Sequence, residues 1–436
     1  MTPSCCRPAR RLAGRRLLRG PAPAVCALLG WAALEGSIGP ARAQTAAPSP
    51  APSAAAAPTG WMSSIKLSAQ FEAGIVVNPM RPYDAENNGQ LLTDKANQPQ
   101  LNQLLLTAER DTDPKATGYD FGFKFQFMYG SDARYLHYLG EFNHALDSRY
   151  QISIIEANVT AHLPWLFASG IDAKVGQFAT PLGFETINPA TNPFYSHSYI
   201  FNFGLPFEQT GAMAVAHASG LLDLYLGIDT GVNTTFAGGD ANHEPAGMAG
   251  FGLNLLGGNL TVLALTHIGP ENSCQSVPAF CDSALRYLND AVITYKASDK
   301  LSFTTELNYI RDDGFRAEGY GAAQYASYAL TDALTLNARA EVWRDNAGFY
   351  VASFPGNLDY IKSELGLPNT SIPTPRTTYG AITLGVTYKP SLPAPVSTLL
   401  IRPEIRYDRA LNGRDAFSAG RNSDALTIAA DAILGF

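Results

Sequence analysis

Residues 179–208 gather the side chains best suited to chemistry: Glu185 and Glu208, with His197 between Ser196 and Ser198, among many Phe and Tyr and no Lys or Arg. Basic residues of opposite sign stand elsewhere at strand-like positions: Lys124, Arg339, Arg402 and Arg406, the last two alternating with Glu404 and Asp408. Glu185, His197 and Glu208 facing those four bases would set up a transverse field that sorts polar solutes by charge. A hydrolase would need Ser/His or Asp/His groups brought together. The histidines at 137, 144, 162, 197, 217, 243 and 267 are scattered without a signature, and His197 is the one tempting position. No cofactor motif and no metal cluster is present in the sequence. Cys274 and Cys281, in a Gly/Pro/Ser-bearing stretch, read as a disulfide closing a loop tip rather than as metal ligands.

These side chains must be positioned by strands, because the apolar period is two. In 119–129, Tyr119, Phe121, Phe123, Phe125, Phe127 and Tyr129 share one face, against Asp120, Gly122, Lys124, Gln126 and Met128. In 65–77, Ile65, Leu67, Ala69, Phe71, Ala73, Ile75 and Val77 oppose Lys66, Ser68, Gln70 and Glu72. The last stretch, 424–436, carries Leu426, Ile428, Ala430, Ala432, Leu434 and Phe436 on one face, as a strand closing a membrane barrel would. Charges at this spacing are costly against lipid and comfortable against a wet lumen.

Further strands are expected at 100–110, 150–162, 170–178, 209–219, 221–231, 248–257, 259–269, 285–297, 300–311, 320–330, 332–345, 376–389 and 398–410, sixteen in all. The connections alternate. Long ones cover 78–99, 131–149, 179–208, 232–247, 270–284, 312–319, 346–375 and 411–423, and most others are turns such as Gly220, Gly258 and Ser298-Asp299. That sorting belongs to an antiparallel outer-membrane barrel, all-β, with short periplasmic turns and long outer loops. A soluble sandwich does not sort its loops this way. The aromatic third outer loop, 179–208, is expected to fold against the inner wall, since so apolar a segment does not stay in water. Another outer loop is expected to hold a helix over 358–365, capped by Asn357 and stopped by Gly366.

Residues 1–43 read as a secretory signal: a start rich in arginine, an apolar segment over 25–34 and an Ala41-Arg42-Ala43 cleavage site. Residues 44–60 are a Pro/Ala-rich disordered lead-in, leaving 61–436 as the barrel. Loss of seven basic residues and Glu35 with the signal takes the formal charge from −7 to −13. That balance argues against nucleic acid as a partner and favours cations in a pore.

Within this frame, Gly176, Phe178, Thr180-Pro181, Gly183 and Glu185 are followed by Phe194, Ser196, Ser198-Tyr199, Phe201, Gly204, Pro206 and Thr210-Gly211. Asn102-Gln103 precedes the aromatic strand and Gly130-Ser131-Asp132 follows it. On these residues the chain resembles the OmpL-like beta-barrel porins of Gram-negative outer membranes. The resemblance implies a porin of the cell outer membrane and brings no agreed substrate or catalytic residues. The expected function is passive diffusion of small polar solutes or ions, with outer-membrane lipid around the barrel and no cofactor. The alternatives are a non-conducting structural or adhesive barrel and, behind it, an outer-membrane hydrolase. Barrels of this size are commonly trimers, so a homotrimer is the assembly suggested by analogy.

Overall fold

In a computed structural model of the chain, the residues described are 60–436, without 114–115, 144–147, 237–241, 354–361, 363–364 and 366–371. The expected leader and almost all of the lead-in fall outside them, as does most of the helix expected over 358–365. The chain lays down β1 (Lys66–Val77), β2 (Gln98–Arg110), β3 (Asp120–Gly130), β4 (Gln151–Leu163), β5 (Ile171–Ala179), α1 (Tyr199–Gly204), β6 (Glu208–His217), β7 (Leu222–Val232) and β8 (Ala246–Leu255). It continues with β9 (Leu260–Pro270), β10 (Leu285–Lys296), β11 (Leu301–Asp312), β12 (Ala317–Thr331), β13 (Leu334–Asp345), β14 (Ala352–Ser353), β15 (Ile372–Pro373), β16 (Thr377–Tyr388), β17 (Thr398–Ala410) and β18 (Asp424–Gly435).

β14 and β15 pair only with each other, inside one long loop. The other sixteen strands form one closed antiparallel barrel in which each pairs with its neighbours along the chain and β18 closes on β1. Closure leaves no unpaired edge. The stretch at 100–110 is a strand, as expected. It extends from residue 98, and Asn102 is the extra residue of a bulge: Gln103 lies opposite Glu72 and Leu101 opposite Ala73. That bulge turns Asn102 and Gln103 both inward, where they are buried.

The wall is inside out. Along β17, Ile401, Ile405 and Tyr407 are exposed, while Arg402, Glu404, Arg406 and Asp408 between them are buried. Along β3, Phe121 is 56% and Phe125 45% exposed, against 7% for Gln126 and 0% for Met128. A water-soluble barrel would have the opposite order, so the outer surface is made for hydrocarbon. Cys274 and Cys281 are disulfide-bonded with Cα atoms 4.9 Å apart, in the loop between β9 and β10.

An Arg at position 125, at mid-strand on the outward face, is expected to cost about 2–4 kcal/mol of folding free energy. The Gln126→Glu change, one residue on and facing the bore, is expected to cost far less. Urea titration of folding into lipid vesicles measures both.

Candidate functional site

The site is the inner wall formed by β13, β16 and β17, together with the 180–207 segment that lies on it. That segment has little regular structure: one 3-10 turn, Pro189–Thr191, and the short α1, whose N-cap Ser198 accepts from Phe201 N. Yet Phe194, Tyr195, Tyr199, Ile200 and Phe201 are each at most 3% exposed. Irregular backbone can be buried only if its N–H and C=O groups find partners. Inward-facing wall side chains supply them.

Along β17 the pairing is sequential. Arg402 Nη1 donates to the carbonyls of Pro189 (2.7 Å) and Asn192 (2.8 Å). Glu404 Oε2 accepts from Tyr195 N at 2.8 Å and from Ser196 N at 3.2 Å. Arg406 Nη1 donates to His197 O at 2.5 Å, and Asp408 Oδ1 accepts from the Tyr199 hydroxyl at 2.9 Å. β13 repeats the order: Asn337 donates to Pro193 O (3.2 Å), Arg339 to Ser196 O (2.9 Å), and Glu341 accepts from Tyr199 N (2.7 Å). On β11, Glu306 accepts from Phe184 N at 3.0 Å. Carboxylates thus take the loop's amides and guanidiniums take its carbonyls.

The guanidiniums are charge-compensated where they stand. Arg339 lies 2.6 Å from Glu185 and 3.3 Å from Glu341. Arg402 is held by Asp431 and, at 3.2 Å, by Glu72 on β1. Arg406 is 2.8 Å from Asp408 and 3.5 Å from Glu341. All three arginines are at most 1% exposed.

Glycines let the loop's rings reach the wall. A Cβ on Gly74 would lie 2.6 Å from the Tyr195 ring, and one on Gly385 would lie 3.1 Å from Phe194.

Of the seven charged or polar positions expected from the sequence, five meet here. Glu185 joins Arg339 directly, the His197 carbonyl joins Arg406, and Arg402 joins the loop backbone. His197 itself is buried, stacked on Phe201 with ring centroids 4.2 Å apart. Its Nε2 faces Asn192 Nδ2 at 3.2 Å. The Asn192 amide orientation is fixed by Thr186 N and Thr186 O, so the neutral imidazole accepts at Nε2 and carries its proton on Nδ1. Burial holds this imidazole down at about 4, the three arginines adding to the effect and Glu185 opposing it. Burial alone would raise Glu185, but the Arg339 charge and the Ser198 N–H hold it below the ordinary carboxylate value.

Glu208 and Lys124 lie apart. Glu208 opens β6, fully buried, its backbone exchanging two bonds with Asn233 and its carboxylate oxygens without a hydrogen-bond partner among the described residues. Lys124, on β3, is 3.2 Å from Glu156 on β4. Sequence reasoning left out Glu341, Glu306, Glu72 and Asp431 as partners. Each occupies an inward position of its strand, and that parity was the available signal. Among the described residues no cluster of three or more His, Cys, Asp or Glu is placed to hold a metal ion.

A closed sixteen-stranded barrel with an apolar exterior, a polar bore and a loop docked on the inner wall has the build of an outer-membrane porin. The chain belongs to the family described as "Putative beta-barrel porin-2, OmpL-like", whose model matches residues 64–436. The fold is similar to that of the outer membrane channel DcaP of Acinetobacter baumannii, at TM-score 0.51 and 12% identity, over 85% of this chain and 97% of that one. It is similar to Pseudomonas putida OprB, at TM-score 0.52 and 11% identity over 86% and 94% of the two chains, and to Salmonella typhi OmpF, at 0.51 and 11% over 85% and 97%. No curated protein matches the chain by sequence.

Replacing Arg402 by Gln removes the donors to two loop carbonyls and leaves Glu72 and Asp431 without their counter-charge. Breaking a buried pair in this way costs about 3–5 kcal/mol. The expected result is protease cleavage between residues 180 and 207 in the variant under conditions that spare the wild type.

The docked His197 titrates below its ordinary value of 6.5. Above that value both docked and released loops carry a neutral ring and docking is unaffected. As the pH falls from there towards 4 the released loop gains a proton that the docked one does not, and docking weakens by up to roughly 3 kcal/mol. Glu185, also lowered, adds a loss of the same sign at still lower pH. Loop cleavage rates followed from pH 7 to pH 4 are expected to rise, and His197→Gln is expected to flatten the part of that rise above pH 4.

Proposed function

We propose that this protein is a porin of the cell outer membrane, passing small polar solutes or ions by passive diffusion through a bore narrowed by the 180–207 loop. The observation that supports the reading is the loop's docking: an aromatic segment is fixed on the inner wall by Arg339, Arg402, Arg406, Glu341 and Glu404, and on this reading solutes pass along its free side. Glu185, His197, Glu208 and Lys124 complete the set that tunes the passage, although His197 contributes no charge at neutral pH. No covalent step or cofactor is involved, and the protein is not an enzyme. Membership of a porin family supports this reading. A homotrimer is the proposed assembly, by analogy with an OmpT of Vibrio cholerae described in a trimer form, to which the fold is similar at TM-score 0.50.

Reconstitution in a planar lipid bilayer tests the proposal. Wild-type protein is expected to give discrete conductance steps with a preference for cations. The Glu185→Gln, Glu208→Gln double variant, which leaves Arg339 short of its counter-charge, is expected to shift that preference several-fold towards anions. Unchanged ion preference would remove these residues from the constriction, and absence of conductance would point to a structural or adhesive barrel.

A further inference from the structure

A second connection packs into the long-loop end of the barrel. It is the 78–97 segment between β1 and β2, in which Asn88, Gln90, Leu91, Leu92, Thr93 and Asp94 are each at most 5% exposed. The segment has a neck. Asn78 N donates to Asn97 Oδ1 at 3.0 Å, while Asn97 donates from its backbone to Val76 O (2.7 Å) and from its side-chain amide to Asn78 O (3.2 Å). Beyond the neck the chain folds back on itself, with Ala96 N donating to Ala85 O at 2.9 Å and Asn87 N to Asp94 O at 2.5 Å. This small hairpin rests on the docked loop. Asn202 Nδ2 donates to Gly89 O at 3.3 Å, and a Cβ on Gly89 would lie 2.9 Å from the Tyr199 ring. Leu91 and Leu92 join the apolar cluster that holds Tyr199 and Phe203.

Most of its remaining polar contacts go to other long connections. Asn88 Nδ2 donates to Ser353 Oγ at 2.6 Å, in the β13–β16 connection, and Tyr83 N donates to Ser418 Oγ at 3.1 Å, in the β17–β18 connection. On the other side two arginines of the β3–β4 connection grip Asp94: Arg134 Nη2 donates to Oδ2 at 2.6 Å and Arg149 Nη2 to Oδ1 at 2.7 Å. The segment thus bridges connections on both sides of β1 and β2. These contacts hold a backbone under strain. Arg81, Ala85 and Asn97 have φ of 46°, 56° and 61°, a left-handed region that residues with a Cβ seldom occupy.

We infer that residues 78–97 are an outer gate of the passage, closed in this structure, and that the grip of Arg134 and Arg149 on Asp94 is its latch. The inference rests on the porin reading above and deepens it: the 180–207 loop narrows the bore, and the gate lies over that loop at the end where the long connections meet. The two segments are held differently. The 180–207 loop is bonded to strand residues of a closed sheet, which cannot move apart, whereas the gate is bonded mainly to other connections, which can. Its neck lets it swing as one piece without disturbing the pairing of β1 with β2. Release relieves the strained residues, so the latch is what keeps it down. The pair is buried, with Asp94 5% and Arg134 1% exposed, and water does not replace the contact while the gate is shut.

Planar-bilayer recording of the full-length protein tests the gate from both directions. Asp94→Asn removes the charge that the two arginines hold, and is expected to raise mean conductance about twofold or more over the wild type. The double variant Asn88→Cys, Ser353→Cys puts two thiols where the 2.6 Å contact stands, and its oxidised form is expected to conduct at most about half as well as the same protein after reductant. Oxidised and reduced forms are one folded chain, so this comparison does not depend on how a variant folds. Wild type given the same reductant corrects for the Cys274–Cys281 bond. Equal conductance in all of these overturns the gate and leaves the porin reading standing. Locking without effect overturns the gate even where Asp94→Asn changes conductance, since Asp94 would then act on the passage by charge alone. Locking with effect beside an unchanged Asp94→Asn overturns the latch. A silent wild type beside a conducting Asp94→Asn supports gate and channel together, and silence in every protein sinks the porin reading and the gate with it.

Discussion

A stretch of chain without helix or strand cannot be enclosed unless every amide and carbonyl it buries is met, and that requirement organises the interior of this barrel. The 180–207 segment is met by wall side chains as well as by its own backbone bonds, Thr180 N to Phe207 O and Asn202 N to Ser198 O among them. Glu306, Glu341 and Glu404 receive its N–H groups, while Arg339, Arg402 and Arg406 reach its carbonyls. The acid and base alternation on β17 is therefore a template read residue by residue by the loop. Because β13 presents the same order two strands away, the loop is fixed in height as well as in position. An ionised group in such a place needs its own compensation, and the arginines have it from Glu72, Asp431, Asp408 and Glu185.

The docked loop also accounts for the buried apolar side chains of a molecule whose exterior is apolar. Phe194, Ile200, Phe201, Phe203, Leu205 and Phe207 form a core with Trp343 and Tyr379 of the wall. This core lies inside the polar layer, so hydrocarbon-facing and bore-facing apolar regions are separated by one sheet. Tyr195 and Phe194 reach the sheet only where Gly74 and Gly385 leave room, which ties two backbone positions in distant strands to the docking of one loop.

Much of this was legible in the sequence and some was not, for physical reasons. Period-two alternation is local, so Phe121 to Tyr129 and the 402–408 run read directly as strands with a known face. Turn lengths are local too, and sixteen strands follow from them. Bulges are harder: the extra residue at Asn102 shifts parity on β2 without any change in composition, and Ile155, passed over between the Gln126–Glu156 and Phe127–Ile154 pairs, does the same on β4. Partnership is hardest. Glu72 and Arg402 are separated by 330 residues and meet only because β18 closes the sheet between β1 and β17. No sequence pattern carries that meeting. The aromatic density of the loop announced that it is buried, but the wall groups that satisfy its backbone became identifiable only with the register.

The register also changes the electrostatic picture. Opposed rows of free charge, acids on the loop and bases on the wall, would give a field across the bore. Here Arg339, Arg402 and Arg406 are buried beneath the loop and surrounded by Glu185, Glu341, Glu404, Asp408, Glu72 and Asp431, so acidic groups outnumber the bases around them. The bases are used up in holding the loop. On the porin reading, a solute passing the free side of the loop meets little outward-directed positive charge from this patch. That shielding comes from the contacts that fix the loop to the wall. It also depends on the loop staying docked, since release would uncover the three guanidiniums as well as the carboxylates that now face them.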